Sequence, residues 1–274
     1  MKVLVGLLSA LLILSAVGLV FAQPNLLPAT NTKSKVGTTV TIPPNAVQVA
    51  DNVFSLGTAR DVDGREVQGF MFIHKQENAK PPGTPGGGKG GTTCYAFLAK
   101  GAKWKVLEPW VINPANSRGL DEGFIFNNEA ANIQKWEDAS SYDILGAGST
   151  TNSTLVADTS STDGQNEVYF GDVDSPGAIA VTIVWGIFYG PPGQRELVEW
   201  DQVYDQVDFD WSSTGEADKM DFENIATHEL GHTVGMGHPD DSCTEETMYR
   251  YASYGETKKQ DLNSGDIAGI QALY

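Results

Sequence analysis

Histidine and cysteine are scarce in this 274-residue chain, with four of the first and two of the second. Basic residues are also few: 18 Lys and Arg stand against 35 Asp and Glu, a formal net charge of -17. A surface of that sign repels a phosphate backbone, which argues against nucleic acid as a partner. After the first 22 residues no long apolar run recurs, so no membrane span is expected in the body of the chain. The apolar content of 41% is nevertheless enough to bury a sizeable core, and it excludes a disordered chain.

Residues 1–22 read as a signal peptide. Lys2 is followed by a Leu- and Val-rich run, and Val20-Phe21-Ala22 supplies the small-x-small pattern that a signal peptidase cuts. A retained N-terminal anchor is the alternative, because the apolar run approaches the length needed to cross a bilayer. In both cases the rest of the chain works outside the cytoplasm, as a secreted or extracellular protein. A disulfide can persist there, and one bridge between Cys94 and Cys243 is the simple expectation. Asn152 heads an Asn-x-Ser/Thr sequon.

Residues 23–79 form a polar, β-rich segment with short strands expected near Thr38, Val53 and Val67, the last two joined by a turn at Asp61–Gly64. Residues 80–93 are rich in Pro and Gly with nothing to bury, a linker composition that places a domain boundary there. From Cys94 periodicity returns. Trp110-Val-Ile112 reads as a strand, and Ile125, Ile133 and Trp136 can share one helix face. Further strands are expected from Glu167, Ala178 and Glu196 onward, where β-branched and aromatic residues cluster. A helix is expected over Asp221–Gly235, with Asp221 as N-cap, and a short one after Ser264.

Within the Asp221–Gly235 helix lies the motif that carries chemistry, His228-Glu229-Leu-Gly-His232-Thr-Val-Gly235-Met-Gly-His238. Imidazoles at i and i+4 project from one helix face, so two nitrogens can meet one metal ion. Gly235 can take the positive φ that ends the helix and brings His238 round as third ligand. Three neutral imidazoles leave a fourth position open, the arrangement of a catalytic zinc. Glu229 falls between the ligands, placed to serve as general base toward water in the open position. Three of the four histidines fall within eleven residues at ligand spacing, which a merely structural helix does not require. His74 stands apart and reads as a solvated or half-buried strand residue.

The extended motif, followed by Thr247-Met248-Tyr249, resembles the metzincin clan of zinc peptidases. Within that clan the order of Trp110-Val-Ile-Asn-Pro114, the Trp136 helix, Glu199-Trp-Asp201 and Gly265-Asp-Ile-Ala-Gly-Ile270 is similar to the matrixins. The resemblance covers about residues 100–274, and places the peptidase domain at 94–274. It implies an α+β fold in which a twisted mixed sheet of about five strands lies over the active-site helix, preceded here by the small N-terminal β segment. It implies that Met248 lies beneath the ligands as an apolar floor. It also implies that substrate adds to an edge strand, for which Ala178–Trp185 is the candidate. Protein or peptide substrates and a monomeric enzyme are the corresponding expectations.

Some positions depart from the matrixin pattern. Pro239 stands where Ser is common, and Arg250 where Pro usually follows the Met turn, so subsite preference does not transfer. No histidines remain for a second, structural zinc, and one zinc is expected. Calcium is a candidate through Asp158, Asp163, Asp172, Asp174 and Asp201, although solvated acidic loops would read the same way. Cys94 sits where a matrixin precursor can carry a zinc-blocking cysteine, but Gly91-Thr-Thr-Cys-Tyr-Ala96 lacks the matching pattern. Whether residues 23–93 are a removed propeptide or an accessory segment stays open. The leading functional expectation is a secreted zinc endopeptidase. A binding or adhesion module that keeps the fold, and a zinc hydrolase of non-peptide amides or esters, are the alternatives.

Overall fold

The computed structural model describes residues 37–80 and 93–274. The expected leader and nearly all of the expected linker lie outside them. In chain order the strands are β1 (Thr39–Thr41), β2 (Val47–Ala50), β3 (Val53–Arg60), β4 (Glu66–Gln76), β5 (Ala96–Phe97), β6 (Trp110–Asn113) and β7 (Gly148–Thr150). They continue as β8 (Asn166–Asp174), β9 (Ala178–Ile187), β10 (Glu196–Asp205), β11 (Trp211–Ser212), β12 (Met220–Asp221), β13 (Met236–Gly237) and β14 (Tyr251–Ala252). The helices are α1 (Glu122–Ser140), α2 (Phe222–Thr233) and α3 (Ser264–Leu273).

The main sheet runs β2-β3-β4-β9-β10-β8-β6-β7. Strands β10, β8, β6 and β7 pair in parallel, while β9 is antiparallel to β10. The five strands from β7 to β9 come from the region after the linker. The other three on this path come from the N-terminal segment, which therefore has no sheet of its own but extends this one: β4 pairs antiparallel with β9 and β3 with β4, while off the path β1 pairs with β8 and β14 with β4. The expectation that Ala178–Trp185 forms an open edge is corrected accordingly. β9 lies inside the sheet, with β4 along the side that was expected to be free.

The residue types of β9 allow this. Its sequence Ala-Ile-Ala-Val-Thr-Ile-Val-Trp-Gly is buried throughout, as a strand covered on both faces requires. Alternation divides it: Ala180 and Val184 face the helices, with Trp136, Trp200, Tyr204 and Phe222, whereas Val181, Ile183 and Trp185 face the opposite layer with Val67, Met71 and Ile73 of β4. Helix α1 starts at Asp121, whose Oδ1 accepts the Phe124 amide at 2.7 Å, and stops at Ser141, which takes a left-handed φ of 62°. Cys94 and Cys243 are joined, with Cα atoms 5.6 Å apart, tying the start of the later region to the loop between His238 and Met248.

Gly69 sets how closely β4 approaches β9, because a Cβ there would lie 2.7–2.8 Å from the Trp185 ring. Gly69→Val should therefore push the strands apart and lower stability by roughly 1–3 kcal/mol, the usual range for overpacking. Urea unfolding measures it, and an unchanged midpoint would show that Trp185 does not hold β4 in place.

Candidate metal centre and its cleft

Helix α2 is buried on every side, from Phe222 through Thr233 with only Glu223 partly exposed. Asp221 caps it through Oδ1, which accepts the Asn224 amide at 2.9 Å and the Gln260 side-chain amide at 2.9 Å. A helix so placed has no water for its polar side chains, so each needs a protein or ligand partner. Thr227 C=O accepts from Trp136 Nε1 at 3.0 Å, and Thr233 C=O from Trp104 Nε1 at 2.8 Å.

The imidazoles are fixed by backbone carbonyls. His228 Nδ1 donates to Thr247 C=O at 2.7 Å and His232 Nδ1 to Met236 C=O at 3.0 Å, which leaves Nε2 of each ring as the lone-pair nitrogen. The helix ends as Gly235 takes a φ of 101°, and its amide bonds back to His232 C=O. A Cβ at Gly235 would lie 2.9 Å from Ala102 O, so the position excludes side chains on two counts. Pairing of β13 with β5 then carries the chain to His238, whose Nε2 comes within 3.1 Å of His232 Nε2. Burial holds all three rings neutral, His232 down to about 3 and His228 and His238 well below the ordinary value.

These residues fit a zinc ion. Their ligand nitrogens lie within 4.8 Å of one another. Two nitrogens on a tetrahedral zinc with Zn–N of about 2.0–2.1 Å are about 3.3 Å apart, close to the His232–His238 separation. His228 Nε2 is buried without a hydrogen-bond partner, and a lone pair so placed calls for a cation or a proton.

Below the ligands lies Met248, fully buried. It is held by Asp266 at the first turn of α3, whose carboxylate accepts from Thr247 N at 2.7 Å and Met248 N at 3.2 Å. Asp266 also closes the capping box with Asn263. Sequence reasoning missed Asp266, although Asn263-Ser-Gly-Asp266 has the spacing of such a box. Pro239 and Arg250 are neighbours: Arg250 pairs with Asp241 at 2.9 Å and reaches Pro239 O at 3.4 Å, which ties the His238 loop to the Met turn.

Glu229 is fully buried; its Oε2 accepts from Thr182 Oγ1 of β9 at 2.6 Å. Its Oε1 meets His74 Nδ1 at 3.0 Å. The expectation of a solvated or half-buried His74 is thus corrected, since it is 1% exposed and stacks on His228 with ring centres 3.8 Å apart. Two residues earlier Phe72 stacks on His232 at 4.2 Å. Alternation along β4 turns Phe72 and His74 toward α2, so the N-terminal strand lies across the candidate ligands His228 and His232. On the far side of His74, Nε2 is 3.0 Å from Lys259 Nζ, an ammonium fully enclosed by protein that also donates to Tyr249 O at 2.5 Å and Tyr251 O at 2.8 Å. Burial pushes Glu229 up to about 8 and Lys259 down to about 7.

The five candidate calcium residues separate. Asp158 and Asp163 come together with Glu199, their carboxylate oxygens within 4.8 Å of one another. Asp201 lies beside them, accepting from Asp158 N at 2.8 Å and Glu167 N at 3.2 Å. Asp172 and Asp174 belong to the other end of β8, paired with β1. Burial raises Glu199 to about 9 and Glu167 to about 7.

A buried HExxH helix, a glycine-ended turn to a third histidine and a buried methionine packed against that helix form a candidate metal centre of the kind that the metzincin resemblance implies. Residues 156–274 match the family model described as Matrixin, and this region is a matrixin-like metzincin domain. Similar curated proteins include Metalloendoproteinase 2-MMP of Arabidopsis thaliana, 37% identical over 75 residues, or 25% of this chain and 19% of that protein. Matrilysin of Homo sapiens is 43% identical over 65 residues, 24% of this chain and 22% of that one. The chain thus spans about a fifth of the length of the curated relatives it matches.

Gly231 lets this floor close, because a Cβ there would overlap Met248 Sδ and stand 2.8 Å from the Trp136 ring. Gly231→Ala is expected to lower both the thermal midpoint and the zinc affinity of the chain. Zinc binding as tight as in the parent would mean that Met248 does not brace the ligands.

Proposed function

We propose that this chain is a zinc-dependent endopeptidase acting outside the cytoplasm, with the N-terminal β segment holding it latent. The observation that carries the reading is the convergence of three neutral imidazoles, two of them tautomer-fixed by backbone carbonyls, beside a buried carboxylate. His228, His232 and His238 would hold the zinc, which when bound supplies a Lewis acid that polarises a peptide carbonyl and lowers the pKa of water. Glu229 acts as general base. Its Oε1 takes the proton of the attacking water and returns it to the departing amine nitrogen. Thr182 Oγ1, bonded to Oε2, keeps Oε1 aimed into the cleft.

Strand β4 supports the latency reading, since it fills the cleft with Phe72 and His74 and engages the very oxygen that Glu229 needs. A cut in the Pro- and Gly-rich stretch 81–92 would free β4 to leave. The zinc-loaded full chain should therefore degrade casein slowly, and limited proteolysis in that stretch should raise the rate at least tenfold. A zinc chelator, or Glu229→Ala, should abolish the gain. Cleavage indifferent to the chelator, or full activity of Glu229→Ala, would refute the mechanism; an uncut chain as active as the cut one would refute the latency.

Asp158, Asp163 and Glu199 would hold a calcium ion, with Asp201 bracing the loop. The pKa shifts give a sign. Glu199 and Glu167 have folded values raised above their unfolded ones, so their protons stabilise the fold at low pH. That contribution is fully present below about pH 4.5 and is lost as pH rises toward about 7 for Glu167 and about 9 for Glu199. A cation would replace those protons. Millimolar calcium should accordingly raise the thermal midpoint at pH 8 by more than at pH 5, and Asp158→Asn should remove the effect. No shift at pH 8 would exclude the site.

A further inference from the structure

The pocket beside Glu229 that β4 occupies has a chemical signature of its own. Strand β4 runs between two partners: it is antiparallel to β9 up to Lys75, and at Lys75 and Gln76 it also pairs in parallel with β14. Withdrawing β4 leaves a groove one strand wide, lined on both sides by backbone groups that have lost their partners, and an extended peptide satisfies them. The register of that peptide is set by where its side chains can point. His74 marks the one beside Glu229, against His228 and Lys259.

At the end of this pocket stands Lys259 Nζ. Two of its three N–H donors go to the carbonyls of Tyr249 and Tyr251, which belong to the pocket wall and stay when β4 leaves. The third goes to His74 Nε2. Among the described residues no carboxylate lies within ion-pairing distance of this ammonium. Once His74 is gone, the charge faces the groove with a donor unused, in a place closed to water on its other sides. An apolar side chain entering here would leave that donor unpaired. A side chain with an acceptor at the end of a stem as long as that of histidine would pair it, and a carboxylate would add a charge-assisted bond.

We propose that Lys259 is a specificity-determining residue, which makes the cleft select peptides carrying glutamate at the position that His74 fills in the latent chain. The assignment rests on the endopeptidase reading for its substrate, and on the geometry alone for the pocket. Tyr249 and Tyr251 act as positioning residues, since their carbonyls aim the third donor outward.

Two experiments separate these layers. In the first, the zinc-loaded chain, cut within 81–92, digests a mixture of peptides and the new termini are sequenced. Glutamate should be enriched at one position next to the cut by about tenfold over leucine, and in Lys259→Met the preference should reverse. Because the ratio is read within each variant, it is independent of the folded fraction. A parent preference for leucine, or a glutamate preference that survives in Lys259→Met, would overturn the proposal. In the second, the uncut full chain carries His74→Glu or His74→Leu, each with Lys259 or with Lys259→Met. Thermal midpoints should favour Glu over Leu beside Lys259 and Leu over Glu beside Met. The same order in both backgrounds would overturn the pocket assignment. This second test stands even if no peptide is cut, the outcome that would sink the endopeptidase reading by itself.

Discussion

The structure depends on burying a helix that carries two imidazoles on one face and a carboxylate beside them. An apolar helix in that place would gain the same area and cost nothing in desolvation. Here each ring must find an acceptor for Nδ1, and both acceptors are backbone carbonyls, Thr247 O and Met236 O, from segments outside α2. Those segments must therefore be held rigidly. Asp266 grips the amides of Thr247 and Met248 from α3, and β13 is clamped by β5 and by the glycine turn before it. The terminal helix, far along the chain from the motif, is thus a support for ligand geometry, as outer partners of metal ligands generally are.

The same demand explains why β4 fits so closely. Glu229 is buried, and burial alone pushes its carboxyl toward the protonated state unless a donor meets it. Thr182 supplies one donor, and His74 faces the other oxygen. Main-chain pairing with β9 supplies the adhesion, while Gly69 under Trp185 lets the strand come close. With Cys94 bonded to Cys243, its sulfur is committed elsewhere, and the position beside Glu229 is filled by an imidazole.

How much of this can be read from the sequence follows from the range of each interaction. The candidate ligand set is local: i, i+4 and a glycine-ended turn bring His228, His232 and His238 together within eleven residues, so their convergence is written in the spacing. The strands and helices of 94–274 are likewise signalled by periodicity, as with the unbroken apolar run of β9. The placement of β4 is different. A strand pattern says that a strand forms and not which neighbour it joins, and the pairing of β4 with β9 spans more than a hundred residues. His74 therefore read as peripheral, when its burial depends wholly on that pairing. The acidic loops failed in part for the same reason. Five aspartates looked equivalent until the fold gathered Asp158 and Asp163 with Glu199 and carried Asp172 and Asp174 to the other end of β8.

Lys259 is the sharpest instance. By composition a lysine beside Lys258 belongs in water, and nothing local distinguishes the two. Yet the Lys258 side chain is about a third exposed and Lys259 is fully buried. A buried ammonium is tolerated only where partners are already arranged, and two wall carbonyls provide them. On grounds of stability alone an apolar residue would serve there at least as well, since replacing buried charges by well-packed apolar groups is often neutral or stabilising. What an apolar residue could not provide is a donor directed into the groove. The cost of burying this charge is therefore best understood as a cost of recognition, borne by the fold and recovered when a ligand side chain accepts the third hydrogen bond.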